Sequence, residues 1–422
     1  MTALLIAWCL PWMIELGSLK LTPYRIVLIV AFVPCLVALV SGKLGRVRLV
    51  DICVLLYGVW CMIALTALHG VQPALQTGGV LFLETSGAYL MARRYIRSAD
   101  DFYALVRMLF LIVVVLLPFA LIETLTGHGV LLEALSHVFP TVTEVHMPPR
   151  AGFSRAQSIF DHPILMGVCC GSVFSLAHMV LGRGEPMGKR WLRTATVAFT
   201  VVLSLSSCPL SGLTVQTLLM GWNWLLRSFA GRWKLLVGLI SAAVLAIQLF
   251  AHRPLLTILY QDFAFDAESA MFRVLIWNYG TQSVVHNPLF GVGLGRWERP
   301  SWMPPSIDMF WLYNAITYGL PACLLMLAAF FLVVLGAAFR RGLDARRGDY
   351  RTAYVISMTA IFVEGWMVHY WNGALVLVLI LMGSGVWLLE PQPAAEAAAA
   401  PDVRSRLRQR GVSRAAPAQV PA

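Results

Sequence analysis

Charge is what this 422-residue chain has least of. Asp, Glu, Lys and Arg together make up 13% of it, against 59% apolar residues, and the mean hydropathy is +0.75. Soluble domains carry roughly 25% charged residues. A core in water cannot absorb this much apolar surface, so most of it must meet lipid. That excludes an ordinary cytosolic enzyme and a disordered scaffold. A zinc or disulfide framework is missing too. No CxxC occurs, and seven of the eight cysteines lie inside apolar runs, with Cys208 at the edge of one. Acidic residues number 21 against 32 Lys and Arg, a net charge of +11. A nucleic-acid footprint is one reading of that excess, and the placement of the charges decides against it.

A membrane-crossing helix needs roughly 20 apolar residues. Twelve stretches qualify as candidates: about 3–17, 22–42, 50–69, 76–92, 102–125, 158–182, 191–206, 208–226, 233–250, 309–338, 352–369 and 372–389. The first and seventh are short. The first lacks a basic n-region and a clear cleavage site, so it reads as a span rather than a signal peptide. Alternate loops and the tail hold 23 of the 32 Lys and Arg, among them Lys43, Arg94, Arg190, Arg227 and Arg347. Basic loops stay cytoplasmic. Both termini are therefore expected in the cytoplasm, and the positive charge is a topology signal rather than a nucleic-acid footprint.

The expected architecture is an all-α polytopic membrane protein of about twelve transmembrane helices. Residues 1–390 form one integral-membrane domain, and 391–422 read as a low-complexity, disordered cytoplasmic tail. Two longer non-cytoplasmic loops, about 126–157 and 251–308, each hold a short interfacial helix. Loops of that length are usually functional. In "SAMFRVLIWNYG", Phe272, Leu275, Ile276 and Tyr279 share one helical face, and Arg273, Trp277 and Gly280 another. No internal repeat is visible, which weakens a transporter reading.

Few basic residues lie on the outer side, so each is informative: Lys20, Arg25, Arg150, Arg155, Arg253, Arg273, Arg296 and Arg299. Arg suits a two-pronged grip on phosphate oxygens. The alternative is pairing with Asp161, Asp262, Asp266, Glu268 or Glu298, or contact with lipid headgroups. For Arg150, Arg155 and Arg273 as a group the anion site is favoured. "NPLFGVGLG" is Gly-rich but lacks the GK[ST] ending of a P-loop. Gly291, Gly293 and Gly295 suit a tight backbone turn. Most outer histidines, such as His128, His146 and His369, read as solvated or interfacial. Asp308, at the end of the second loop, fits either a helix N-cap or a general base. Glu84 and Glu364, within or near spans, are functional candidates by position. Pairing with an interior Arg or a polar backbone explains them equally well.

Several of these strings together resemble a family. "SVVHNPLFGVGLGRW" is similar to the signature loop of the O-antigen ligase and O-antigen polymerase superfamily, and "FRVLIW" to the helix before it. "GFSRAQSIFDHPILMG" resembles the family's Arg, Phe and His-Pro pattern entering a span. "SIDMFWLYNAITYGLPA" resembles its segment after the large periplasmic loop, with an acidic or His residue eleven positions before Gly. "LTPYRI" and "GAYLMARRYIR" resemble its early spans. The resemblance implies a metal-independent, inverting glycosyltransferase of the bacterial inner membrane. It would act on undecaprenyl-diphosphate-linked glycans, donor and acceptor, at the periplasmic face, with no cofactor. A chain-length regulator is a candidate partner beside the bilayer. Carried over, Arg150, Arg155, Arg273 and Arg296 would bind the diphosphate. Asp308 would act as base, with His286 and His162 as alternatives. Ligases typically have His where Asp308 stands, which favours polymerisation of an exopolysaccharide or O-antigen over ligation. A lipid-linked sugar flippase is the reading from another class. "SLSSCPLSG" lacks the family's common Ser-Arg-Gly, and no role follows for it from the resemblance.

The charge bias predicts that 126–157 and 251–308 share one side. Single cysteines at Thr143 and Ser301, in a background without native cysteines, should react with a membrane-impermeant thiol reagent in intact spheroplasts. Protection of both until lysis would overturn this orientation.

Overall fold

The computed structural model describes residues 1–16, 19–250 and 267–390. Arg253, Asp262, Asp266 and the tail 391–422 lie outside the described residues. Nearly every described element is helical, and the one sheet is a two-stranded hairpin, Ile14–Leu16 with Leu19–Leu21. Among the described residues, seven helices are long and apolar enough to cross a membrane: Pro23–Val40, Leu49–His69, Ala99–Thr126, Pro163–Leu181, Arg232–Phe250, Leu320–Ala338 and Asn372–Leu389. The protein is thus an all-α membrane protein.

Sequence explains which of these helices sit inside. A helix apolar on all sides belongs in the interior. Asn372–Ser384 buries every residue from Ala374 to Ser384. Pro163–Gly171 is buried from Leu165 onward, and Cys169 and Cys170 are part of that core. Peripheral helices turn apolar side chains outward. Val30, Val33, Val37 and Val40 are exposed along Pro23–Val40, and Arg232–Phe250 buries none of its residues. Such surfaces are stable only against lipid tails.

Several other candidate stretches fold differently from a simple span. The first holds only a seven-residue helix, Thr2–Trp8, before the chain turns into the hairpin. Residues 71–95 stay helical throughout but contain two π-turns, Ala74–Gly78 and Leu83–Gly87. Such bulges often mark functional positions. The stretch 309–338 is broken at Gly319 (φ +84) into Phe310–Tyr318 and Leu320–Ala338.

Two buried ion clusters tie the bundle together. Arg25 gives its Nε to Glu84 at 2.8 Å and an Nη to Asn372 at 3.0 Å, and Tyr24 also donates to Glu84. Arg93 lies between Asp51 at 3.6 Å and Glu390 at 2.9 Å. Glu84 is therefore committed to Arg25, as the pairing alternative held. Among the described residues Glu364 forms no ion pair with an Arg. Its carboxylate presses against Gly212, where a β-carbon would stand 1.9 Å from Oε1. Removing one partner of a buried pair strands the other charge. Glu84→Ala should therefore lower stability by about 3–5 kcal/mol, read as thermal melting of the purified protein in detergent. An unchanged melt would show that Arg25 is satisfied without Glu84.

Candidate active site

At one end of the bundle, four segments distant in sequence close around a cavity of about 230 Å³. Arg150 and Arg155 come from the loop after Ala99–Thr126, and His162 from the start of the next helix. Arg273 comes from the helix Ala267–His286, and Asp308 from the approach to Phe310–Tyr318. Ser206 and Ser207 form its floor side.

The loop 150–160 is held by a carboxylate that sequence reading passed over. Glu123, buried in Ala99–Thr126, accepts the N–H of Gln157 at 2.8 Å and of Ser158 at 2.9 Å. Gln157 in turn binds the carbonyls of Thr143 and Phe160. The signal was present, since an acidic residue in an apolar span is a functional candidate by default. "SLSSCPLSG" now has a place as the break between Met187–Val202 and Ser207–Leu225. Arg150 donates to Leu205 O at 3.1 Å and Arg155 to Ser206 Oγ at 2.7 Å. Arg155 is 8% exposed.

Backbone strain collects here as well. Among the described residues, four non-glycine residues have positive φ: Ala151, Ser158, Leu205 and Asn372. Ala151 and Ser158 flank Arg155, Leu205 holds Arg150, and Asn372 donates to Asp161 beside His162. Each such residue costs of order 1–3 kcal/mol and persists where function or packing demands it.

Arg273 is 6% exposed, yet among the described residues its one hydrogen bond runs from Nε to Met367 O at 3.2 Å. Its Nη groups are left to the cavity. The helix that carries it buries Arg273, Ile276 and Gly280 on one face, whereas the sequence pattern had set Ile276 with Phe272. The reason is packing: a β-carbon at Gly280 would stand 2.8 Å from the Ile316 Cδ1 methyl, so glycine lets Phe310–Tyr318 pack there without its side chains having to shift.

Asp308 is not the N-cap. Met309 occupies that position, and the first helical N–H groups of Phe310 and Trp311 go to Val368 O and Gly365 O. The Asp308 carboxylate accepts no hydrogen bond among the described residues and faces the cavity. Asp308 is exposed on the cavity side; desolvation by the surrounding protein lifts its carboxyl above the usual range, with Arg273 pulling it back. His162 does act as a cap, its Nδ1 accepting from Ile164 N at 3.1 Å. Burial, with help from Arg155, drops its pKa to about 4. It is therefore a neutral ring with the proton on Nε2, able to donate but already occupied as an acceptor.

The other sequence candidates lie elsewhere. His286 is exposed and pairs with Glu298 at 2.7 Å. Arg296 is exposed and outside the cavity lining. Gly291 and Gly293, both with positive φ, cap a neighbouring helix instead. Val292 N and Gly293 N donate to Ile316 O and Thr317 O at 2.8 and 2.9 Å, satisfying carbonyls at the end of Phe310–Tyr318. A β-carbon on Gly291 would lie 2.4 Å from Ile316 O. Gly295 is exposed at the end of that turn.

A second cavity of about 410 Å³ is lined by Phe310, Tyr57, Gln76, Tyr313, Asn314, His369 and Trp371 among others. Tyr57 donates to Asn314 at 2.6 Å, and the His369 ring stacks on Phe310 and Trp371. No protein-family model matches the chain, and no curated protein does.

Glu123 positions the arginine loop without touching the cavity. Glu123→Ala strands two buried N–H groups, at about 1–3 kcal/mol each. It should open residues 150–160 to limited proteolysis at a rate well above wild type. A cleavage pattern identical to wild type would remove Glu123 from that role.

Proposed function

We propose that the chain polymerises undecaprenyl-diphosphate-linked oligosaccharide repeat units during exopolysaccharide or O-antigen synthesis. On this reading it crosses the bacterial inner membrane twelve times, has both termini in the cytoplasm, and opens the arginine cavity to the periplasm. The observation that carries the reading is Arg273. A guanidinium this buried, with one hydrogen bond of its own among the described residues, calls for an anion, and Asp308, Arg150 and Arg155 share its cavity.

The chemistry follows from those groups. The acceptor hydroxyl attacks the anomeric carbon of the donor sugar, and the bond from that carbon to the diphosphate oxygen breaks. Negative charge grows on the leaving diphosphate, where fixed arginines stabilise it most. Asp308 takes the hydroxyl proton. One direct displacement inverts the anomeric centre. The reaction so written needs neither a metal nor a nucleotide. The second cavity, with aromatic faces and amides, offers the acceptor glycan room next to the base. A chain-length regulator would act on the product rather than on this chemistry.

Glycan ligation would use the same cavity and differ in the acceptor. Asp308, standing where ligases of the resembled family typically have His, favours polymerisation. A flippase reading expects functional polar groups at the membrane midplane, and Glu84 is already neutralised by Arg25.

Two variants test the assignment in proteoliposomes supplied with lipid-diphosphate repeat units. Arg273→Ala should abolish polymer with the protein still folded, and Arg273→Lys should recover little because a point charge lacks the paired grip. Asp308→Asn should keep its melting temperature and lose roughly 10²–10⁴-fold in rate, the usual share of a general base. A base works deprotonated, so wild-type rate should rise with pH through a limb above the ordinary carboxylate range. That limb should vanish in Asp308→Asn. An active Asp308→Asn enzyme would overturn the base assignment.

A further inference from the structure

The helix Ser207–Leu225 has a cavity at each end. Ser207 lines the arginine cavity, and Gly221 and Trp224 line a groove of about 870 Å³ at the opposite end. Nineteen residues rise roughly 28 Å at 1.5 Å each, about the thickness of a bilayer's hydrocarbon core. Ser207 and Gly221, fourteen residues apart, are separated by roughly 21 Å of helix, so the groove is distinct from the arginine cavity.

Its lining is of two kinds. Arg183, Arg190 and Arg227 supply charge, opposed by one carboxylate, Asp349, which pairs with Arg183 at 2.9 Å. The groove is left with a net charge of +2 from those four groups. Arg227 has no carboxylate partner among the described residues, and Arg190 Nε is buried without a hydrogen bond. The walls are apolar. Trp191 and Trp224 are 54% and 69% exposed, beside Phe174, Met179 and Met220. His178, the remaining titratable group, is engaged with Thr194 at 2.8 Å and stacked edge-on to Trp191.

We propose that this groove binds an anionic phospholipid. The arginines take the phosphodiester headgroup, and the tryptophan and methionine walls take the upper acyl chains. A free phosphate would use the arginines and leave the apolar walls bare. Exposed tryptophans next to arginines at the end of a membrane-length helix fit the headgroup level, where both residue types gain from their position. Gly221 lies within the groove, and a β-carbon there would meet open space. Glycine thus keeps the floor of the groove clear.

The test is native mass spectrometry of the purified full chain in neutral detergent, titrated with phosphatidylglycerol, with melting followed in parallel. Wild type should retain phosphatidylglycerol at one saturable site and melt higher with it. Phosphatidylcholine should bind at least tenfold more weakly. The double variant Arg190→Ala, Arg227→Ala should weaken binding by about tenfold or more. Gly221→Leu, which fills the groove without changing charge and favours the helix, should do the same while melting normally without lipid. Lys43→Ala, an exposed basic residue outside the groove, should be silent. Equal retention of the two lipids, an undiminished Gly221→Leu, or a Lys43→Ala effect as large as the groove variants would overturn the site. So would inorganic phosphate that raises melting as much as the lipid does. None of these readouts requires glycan transfer, so they stand or fall apart from the polymerase reading.

Discussion

A guanidinium buried among apolar helices costs several kcal/mol unless its donors and charge are met. This single constraint separates the arginines of the interior into two kinds. Arg25 and Arg93 are closed by Glu84, Asp51 and Glu390, so their charge is spent on holding helices together. Arg273 is as deeply placed but, among the described residues, hydrogen-bonds to one carbonyl, Met367 O. The fold keeps it there because Gly280 lets the neighbouring helix pack beneath it and the 365–368 turn supplies that carbonyl. An arginine held this way is a charge waiting for a counter-charge.

Preorganisation of the cavity comes from helix ends rather than helix middles. Breaks at Gly319 and around Leu205 end helices early and turn backbone carbonyls and hydroxyls inward. Each orphan group then finds a partner from a distant segment. The glycine turn at 291–293 caps Phe310–Tyr318, and the 365–368 turn takes that helix's first N–H groups. Asp308 is thereby released from capping and left beside Arg273. The strained residues Ala151, Ser158, Leu205 and Asn372 mark where this stitching forces the chain out of its preferred geometry.

Much of the candidate site was legible because charge is rare here. In a chain with 13% charged residues, an arginine outside the basic loops is conspicuous, and Arg150, Arg155, Arg273 and Asp308 all line one cavity. Arg296 and His286 looked the same in one dimension, yet they sit exposed beyond the glycine turn. Ser206 and Ser207 were not picked out, since a serine at a helix break carries no distinctive pattern, and Glu123 was passed over although an acid in an apolar span is itself a signal. Only the bonds from Arg155 to Ser206 and from Gln157 to Glu123 give them a role.

The sequence by itself determined that this is an all-helical membrane protein, because apolar runs near 20 residues have no other stable environment. It also singled out the arginines outside the basic loops as candidate anion ligands, because charge is rare in this chain. What only the tertiary structure decided is who shares a cavity. Arg155, Arg273 and Asp308 are separated by 118 and 35 residues. Their meeting depends on helix breaks, close packing at Gly280 and carbonyl caps, which are long-range contacts that local periodicity does not encode. The same holds for Asp308: its position near a helix start allowed a cap or a base. Only the carbonyls of Gly365 and Val368, arriving from a distant turn to take the helix N–H groups, left its carboxylate free for the cavity.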